Sequence, residues 1–281
     1  METEMAKTLM IQGTMSNVGK TTLTTGLCRI LAQEGYRVAP FKPQNLSSTA
    51  FVTKAGEQIG TGQAVQAEAA GIEPDGRMNP VLVKPDIDGA TYCLNGIQVP
   101  GITEYGQMDR LMPEVLRSFH SLENDYDIII IEGAGAAAEL NYLDHDISNM
   151  GFAKEISTPV LLIGDIECGG VFASLYGTVE LFDEASRSLV KGFIINRLCG
   201  NVKHLGTAPK KLEELTGIPV LGIVPKLDIH LQEEDMPGTT FHDDALLEDK
   251  AYREKQFDIL ADALRNTLDM ATIYRILGVD Q

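Results

Sequence analysis

The sequence predicts an α/β fold, a largely parallel sheet with helices on both faces, and three observations predict it. First, a short apolar run, Thr8-Leu9-Met10-Ile11, leads through Gly13-Thr14-Met15-Ser16-Asn17-Val18-Gly19-Lys20-Thr21-Thr22 into a helical pattern from Leu23 to Leu31. A second strand follows at residues 37–42, and strand, helix, strand at that spacing is the unit of a parallel sheet. Second, Ile128-Ile129-Ile130-Ile131 cannot alternate between core and water. Such a run suits a strand buried on both faces, at the centre of a parallel sheet. Third, apolar runs at 159–163, 190–195 and 218–224 alternate with helical stretches in the second half of the chain.

The elements can be taken in order. Residues 22–34 read as an amphipathic helix stopped by Gly35, and residues 37–42 as a strand that carries Lys42 to its carboxyl end. Ligands of open parallel sheets sit at that end. Residues 43–49 read as a polar loop, and 60–71, rich in Ala and Gln, as a helix. An apolar run at 79–85 closes on Lys84, residues 92–99 suit an edge strand, and a loop passes through Gly101. Residues 107–122 have helical periodicity, and the isoleucine strand then delivers Glu132 to its carboxyl end. Residues 141–150 bring Asp144, His145, Asp146 and Asn149 together, either as a helix start with acidic capping or as functional groups. After the strand at 159–165, Gly169-Gly170 opens a helix at 171–182. The strand at 190–197 ends in Asn196-Arg197, a short helix covers 209–215, and the last strand covers 218–225. The expected organisation is a nucleotide-binding domain over 1–226, an irregular acidic segment over 227–250 and a C-terminal helix within 251–281. That helix, amphipathic over 252–277, packs on the domain or on a partner.

Composition narrows the partners. The 281 residues are 44% apolar, ordinary for a globular chain. No apolar run reaches the about 20 residues of a membrane span, and the polar start carries no secretory pattern. Cys28, Cys93, Cys168 and Cys199 lie far apart with no C-x-x-C pair, so a reducing, cytoplasmic setting is expected. The net charge is −17 and lysines and arginines are not clustered, which argues against nucleic acid and anionic membrane. An anionic ligand must then be held by a few local cations, with Lys20, Lys42, Lys84 and Arg197 leading.

The chemistry starts at the glycine-bounded loop. Its backbone N–H groups and the helix start behind it suit phosphate. Lys20 reaches terminal phosphates and the Thr21 hydroxyl suits Mg²⁺, although the loop is one residue longer than the common G-x-x-x-x-G-K-[ST]. Asn17, Val18, Gly19, Lys20, Thr21 and Thr22 are therefore the expected nucleotide-binding residues. Asn196 joins them because an amide just past a strand can read the adenine edge. Glu132 is the expected Mg²⁺ carboxylate, and Lys42 sits near the phosphates.

Several blocks carry a resemblance. Gly13 to Thr22 resembles the phosphate loop of the dethiobiotin-synthetase-like amide synthases, within the P-loop NTPase fold. Ala39-Pro-Phe-Lys-Pro-Gln-Asn45, Gln63-Ala-Val-Gln-Ala-Glu-Ala-Ala-Gly71, Met78-Asn-Pro-Val-Leu-Val-Lys-Pro85, Glu132-Gly-Ala-Gly135, Asp146-Ile-Ser-Asn-Met-Gly151 and Gly169-Gly-Val-Phe172 are similar to the cobyric acid synthase family. Together they cover most of residues 8–226. The resemblance implies ATP- and Mg²⁺-dependent amidation of side-chain carboxylates on a corrinoid or related polycarboxylate, through an acyl phosphate. It implies catalytic roles for Lys20, Lys42 and Glu132, with Lys42 touching the γ-phosphate and the acyl phosphate. It puts Gln63 where dethiobiotin synthetase has a metal-binding Asp, beside Thr21 and Glu132 as the metal set. Gln44, Asn45, Lys84 and Asp146 are the expected substrate-side residues.

Two departures qualify the resemblance. The family's Gly-Asp-Ile-Asp-Arg-Gly-Gly is Gly164-Asp-Ile-Glu-Cys-Gly-Gly170 here, which removes one cation. Nothing in the chain resembles the family's glutaminase domain, so ammonia is expected free or from a separate glutamine amidotransferase. Members of this fold often form homodimers. The rival readings are a ligase for another carboxylate, a nucleotide switch like the partitioning ATPases, and a corrinoid-binding protein without ligase activity. The switch ATPases carry a second lysine early in the loop, and Thr14 to Val18 contain none.

Overall fold

A computed structural model describes residues 5–86, 89–99, 111–232 and 244–279. The chain opens with β1 (Lys7–Gly13), α1 (Lys20–Gln33), β2 (Val38–Phe41), β3 (Gln44–Leu46), β4 (Phe51–Val52), β5 (Gln58–Ile59) and α2 (Thr61–Ala69). β6 (Val81–Asp86), β7 (Gly89–Leu94), β8 (Ile97–Val99), α3 (Met112–Glu123), β9 (Ile128–Glu132), α4 (Met150–Glu155), β10 (Val160–Asp165) and α5 (Val171–Glu180) follow. The chain continues through α6 (Glu184–Leu189), β11 (Val190–Leu198), α7 (Ala208–Thr216), β12 (Val220–Pro225), α8 (Asp244–Glu248), α9 (Lys250–Thr267) and α10 (Met270–Leu277).

Six strands form one sheet in the order β12-β11-β10-β1-β9-β2, and every neighbouring pair is parallel. The period-2 rule sends alternate residues to opposite faces. Ile128 and Ile130 join Leu9, Ile11 and the α1 residues Leu23 and Leu27 in one core. Ile129 and Ile131 join Met10, Phe119 of α3 and Phe152 of α4 in the other. The second core is knit by three rings, with Phe41–Phe119 centroids 5.4 Å apart and Phe152 5.5 Å from each. α1, α9 and α10 thus cover one face, and α3, α4, α5 and α7 cover the other, as the isoleucine run requires.

Three expectations change, and parts of others lie outside the described residues. Residues 43–49 are not all loop: Gln44–Leu46 forms β3, which pairs with β6 in a second sheet of order β3-β6-β7-β8. The edge strand of 92–99 is the end of a hairpin, turned at Asn95-Gly96 with φ of 48° and 79°. Two successive left-handed residues give the turn whose twist matches antiparallel strands. Gly101 and residues 107–110 of the expected helix lie outside the described residues, as do residues 233–243 of the expected acidic segment. The C-terminal helix is two helices. Leu268 bridges to Gly222 of β12, and Asp269 caps α10 through the Thr272 N–H.

α9 packs on the domain along α1. Arg29 pairs with Asp258 at 2.7 Å and with Glu254 at 2.8 Å. A Cβ on Gly26 would lie 2.4 Å from Leu264 Cδ1, so the bare α1 backbone is what lets α9 approach. Gly26→Val is expected to destabilise the fold by about 1–3 kcal/mol, read from urea midpoints. Among the described residues no helix is long and apolar enough to cross a membrane.

Candidate active site

The carboxyl ends of β1, β2 and β9 open on a cleft of about 610 Å³, within the range of about 300–1,000 Å³ usual for ligand pockets. Asn17, Gly19, Lys20, Thr21 and Thr22 line it, and the loop's shape follows from its sequence. Asn17 at φ 62° and Gly19 at φ 96° turn the backbone through the left-handed region. Gly19 is the N-cap of α1 and supplies no capping side chain, so the first N–H groups of the helix remain for an anion. Val18 is buried beneath the loop, and its carbonyl accepts from Asn196 Nδ2 at 2.7 Å. A Cβ on Gly13 would sit 2.5 Å from Val18 Cγ2, so the loop folds back over β1 only because no side chain intervenes there.

Two lysines enter from different directions. Lys20 starts α1, and its Nζ donates to the Gly135 carbonyl at 2.7 Å and the Met15 carbonyl at 3.2 Å. Lys42 follows β2, its N–H donating to Met78 O and its carbonyl accepting from Asn79 Nδ2. Clamped there, it reaches Glu132 Oε1 at 2.9 Å. The same oxygen accepts from Thr21 Oγ1 at 2.8 Å, while Oε2 accepts from Gln66 Nε2 at 2.6 Å. Lys42 and Glu132 are 5% and 1% exposed, so this is a desolvated cluster rather than a surface pair.

The cluster fixes the charge of Glu132. Burial alone would raise its carboxyl, but the Lys42 ammonium and hydrogen bonds from Gln66, Lys42 and Thr21 hold it below the usual carboxylate range. A carboxyl lowered on folding stabilises the fold above its unfolded value, about pH 4.3, and that stability is lost as pH falls through the folded value. Glu132→Gln is therefore expected to be less stable than the parent at pH 7. The two urea midpoints should approach each other on acidification, because both side chains are then neutral.

The structure brings Lys20, Thr21, Lys42 and Glu132 together with Gln44 and Asn45, which line the same cleft. Four other expected residues sit differently. Lys84 is on β6, in the second sheet rather than the one that carries the phosphate loop. Its Nζ donates to Gln58 Oε1 at 2.7 Å, and it does not line the cleft. Asp146 lines the cleft, but its carboxylate is taken by the N–H groups of Ser148, Asn149 and Gly151 at 2.8 to 2.9 Å. Its carboxylate braces the turn that leads into α4, whose N-cap is Asn149. Gln63 faces Asn45, 3.4 Å from its amide, and Gln66 one turn later holds Glu132 instead. Asn196 spends its N–H on Val18, and its neighbour Arg197, paired with Asp165 at 2.8 Å, lines the cleft. Its amide braces the phosphate loop in this conformation.

Sequence reasoning passed over Gln66, and it named Asn149 without giving it a role. Gln66 lies three residues after Gln63 on the same helix face, a spacing that makes the two equivalent candidates until the facing strand is known. Asn149 Nδ2 donates to the Ala134 and Ala136 carbonyls at 2.6 and 3.3 Å, holding the glycine-rich loop after β9 over the cleft.

Residues 9–237 match the family described as the CobQ/CobB/MinD/ParA nucleotide binding domain. The chain belongs to that family. This family member is 51% identical over 241 residues to the cobyric acid synthase of Ruminiclostridium cellulolyticum, covering 84% of this chain and 47% of that one. It is 50% identical over 236 residues to the probable cobyric acid synthase of Methanocella arvoryzae, covering 82% and 48%. The chain thus spans about half the length of the curated relatives it matches. Among solved structures it is similar to the septum site-determining protein MinD complexed with Mg-ADP from Pyrococcus horikoshii. That likeness has 17% identity and a TM-score of 0.46, covering 96% of this chain and 98% of that one. The family match and the sheet order give a nucleotide-binding domain of the P-loop NTPase fold, with a parallel sheet between two helical layers.

Proposed function

We propose that this chain is an ATP- and Mg²⁺-dependent amide ligase that activates side-chain carboxylates of a corrinoid as acyl phosphates for attack by ammonia. The observation that carries the reading is the buried Lys42–Glu132–Thr21 cluster beside the phosphate loop, in a chain 51% identical to a cobyric acid synthase. The residues fit the groups the reaction needs. Uncapped N–H groups of α1 and Lys20 suit a triphosphate. Thr21 Oγ1 and Glu132 Oε1 are hard oxygen donors 2.8 Å apart. Mg²⁺ takes few protein ligands beside phosphate oxygens, so a metal here needs no larger acidic group. Among the described residues none is present.

Bound ATP with Mg²⁺ supplies the phosphoryl group that gives a carboxylate a leaving group. The chain's residues do the rest by position and charge. Lys20 holds the terminal phosphates against the loop. Glu132 and Thr21 keep the metal side of the cleft in register. Lys42, in the same cleft, would stabilise the charge that develops as the phosphoryl group meets the substrate carboxylate. Gln44 and Asn45 at the start of the second sheet present amides to the substrate, and the half-exposed Leu46 and Tyr142 offer apolar contact to a flat macrocycle. The 134–137 loop, pinned by Asn149, lines the cleft and would shield bound phosphates from water.

The test is mass spectrometry of a corrinoid acid incubated with the chain, ATP, Mg²⁺ and ammonium. Amide product formed with matching ADP is expected. ATP hydrolysis that ignores both corrinoid and ammonium would overturn the reading.

A further inference from the structure

We infer that Gln66 is a positioning residue for the metal-side carboxylate, fixing Glu132 so that Oε1 alone faces the cleft. The inference rests on the ligase reading of the same site. Gln66 is 0% exposed in the middle of α2, where an amide costs free energy unless it is bonded. Its one recorded bond is Nε2 to Glu132 Oε2 at 2.6 Å, and its Oε1 has no hydrogen-bond partner among the described residues. An amide that merely knit the helix to its surroundings would use both ends. Here the single bond is aimed at the carboxylate.

The consequence is directional. Glu132 has three donors, and they divide by side. Thr21 and Lys42, both at Oε1, line the cleft, whereas Gln66, at Oε2, approaches from behind and does not. The terminal torsion of a glutamate is broad, so two donors on one oxygen would leave the carboxylate free to swivel. The third donor on the other oxygen removes that freedom. α2 is built to bring it there: Ala67 and Ala69 are fully buried small residues, and the helix packs against both α1 and β2. Gln63, one turn earlier, turns to Asn45 and takes no part.

Groups that orient a metal-binding carboxylate change metal affinity while leaving the rest of the ligand site in place. The test is calorimetry of ADP binding to the full chain with and without Mg²⁺. Gln66→Met keeps the volume and removes the donor. The Mg²⁺-free affinity is expected to stay within about twofold of the parent, while the tightening caused by Mg²⁺ falls about tenfold. If Gln66→Met does not fold, Gln66→Asn, whose donor is one methylene short, gives the same comparison. Tightening equal to the parent's would overturn the inference. So would an equal loss of affinity with and without the metal, or failure of both variants to fold, since those mark a structural role. A parent chain that binds ADP with no response to Mg²⁺ would overturn the ligase reading and this inference with it.

Discussion

Lys42→Ala is expected to abolish amide formation, lowering it by roughly 10³-fold, while nucleotide binding stays measurable. The expectation comes from where the ammonium sits. It is 2.9 Å from Glu132 Oε1, in a cluster almost closed to water, in the cleft that the loop before α1 shares with Gln44 and Asn45. Fixed charge in a dry site is worth far more to a developing phosphoryl charge than the same charge at a surface. The variant should also lose stability. Glu132 keeps Gln66 and Thr21 but no cation, and stripping one partner from a buried ion pair costs about 3–5 kcal/mol. Product mass, ADP calorimetry and a urea curve on one preparation separate these effects. Lys42→Arg is a useful companion. It keeps the charge but replaces a compact ammonium by a planar fork, so it should recover stability better than turnover. A Lys42→Ala chain that still makes amide at the parent's rate would remove Lys42 from the mechanism.

The parts of this site that the sequence reveals are those whose chemistry is local. Gly13 to Thr22 announces its conformation because glycine, a short polar loop and a helix start are neighbours in the chain. Ile128 to Ile131 announces a doubly buried strand because no alternation is possible, and the structure divides those four residues between two cores. Lys42 and Glu132 follow directly, since each is the first charged residue past such a strand.

What the sequence conceals depends on partners far along the chain. Lys84 looks like Lys42, an ammonium at the end of an apolar run. Only the pairing of β6 with β3 and β7 reveals that its strand belongs to another sheet. Gln44–Leu46 reads as loop because three polar or isolated residues have no period, and its strand exists through pairing with Val81–Val83. Gln63 and Gln66 share a helix face, and the choice between them is made by the position of β9, not by the helix. The split between α9 and α10 is different, because it had a local signal. Asp269 stands three residues before Thr272, the spacing of a helix cap, inside a pattern regular enough to hide it. Asp146 likewise stands just before a helix, and its carboxylate is committed to three backbone N–H groups.

Lys20→Ala should give the opposite signature to Lys42→Ala. Nucleotide affinity is expected to fall by about 100-fold, since a charge-assisted contact to phosphate is lost at the loop. Stability should fall less than in Lys42→Ala, by about 1–3 kcal/mol, because the Met15 and Gly135 carbonyls that Lys20 bonds are neutral, whereas the Glu132 carboxylate is charged. Lys42 neutralises a carboxylate that is only 1% exposed. ADP calorimetry and urea unfolding on the two variants therefore form a crossed pair: one lysine governs the ligand and burdens the fold less, the other governs turnover and burdens the fold more. If both variants lost stability equally, the cleft would be closed around Lys20 as tightly as around Glu132. The phosphate loop would then have to open before any nucleotide could enter.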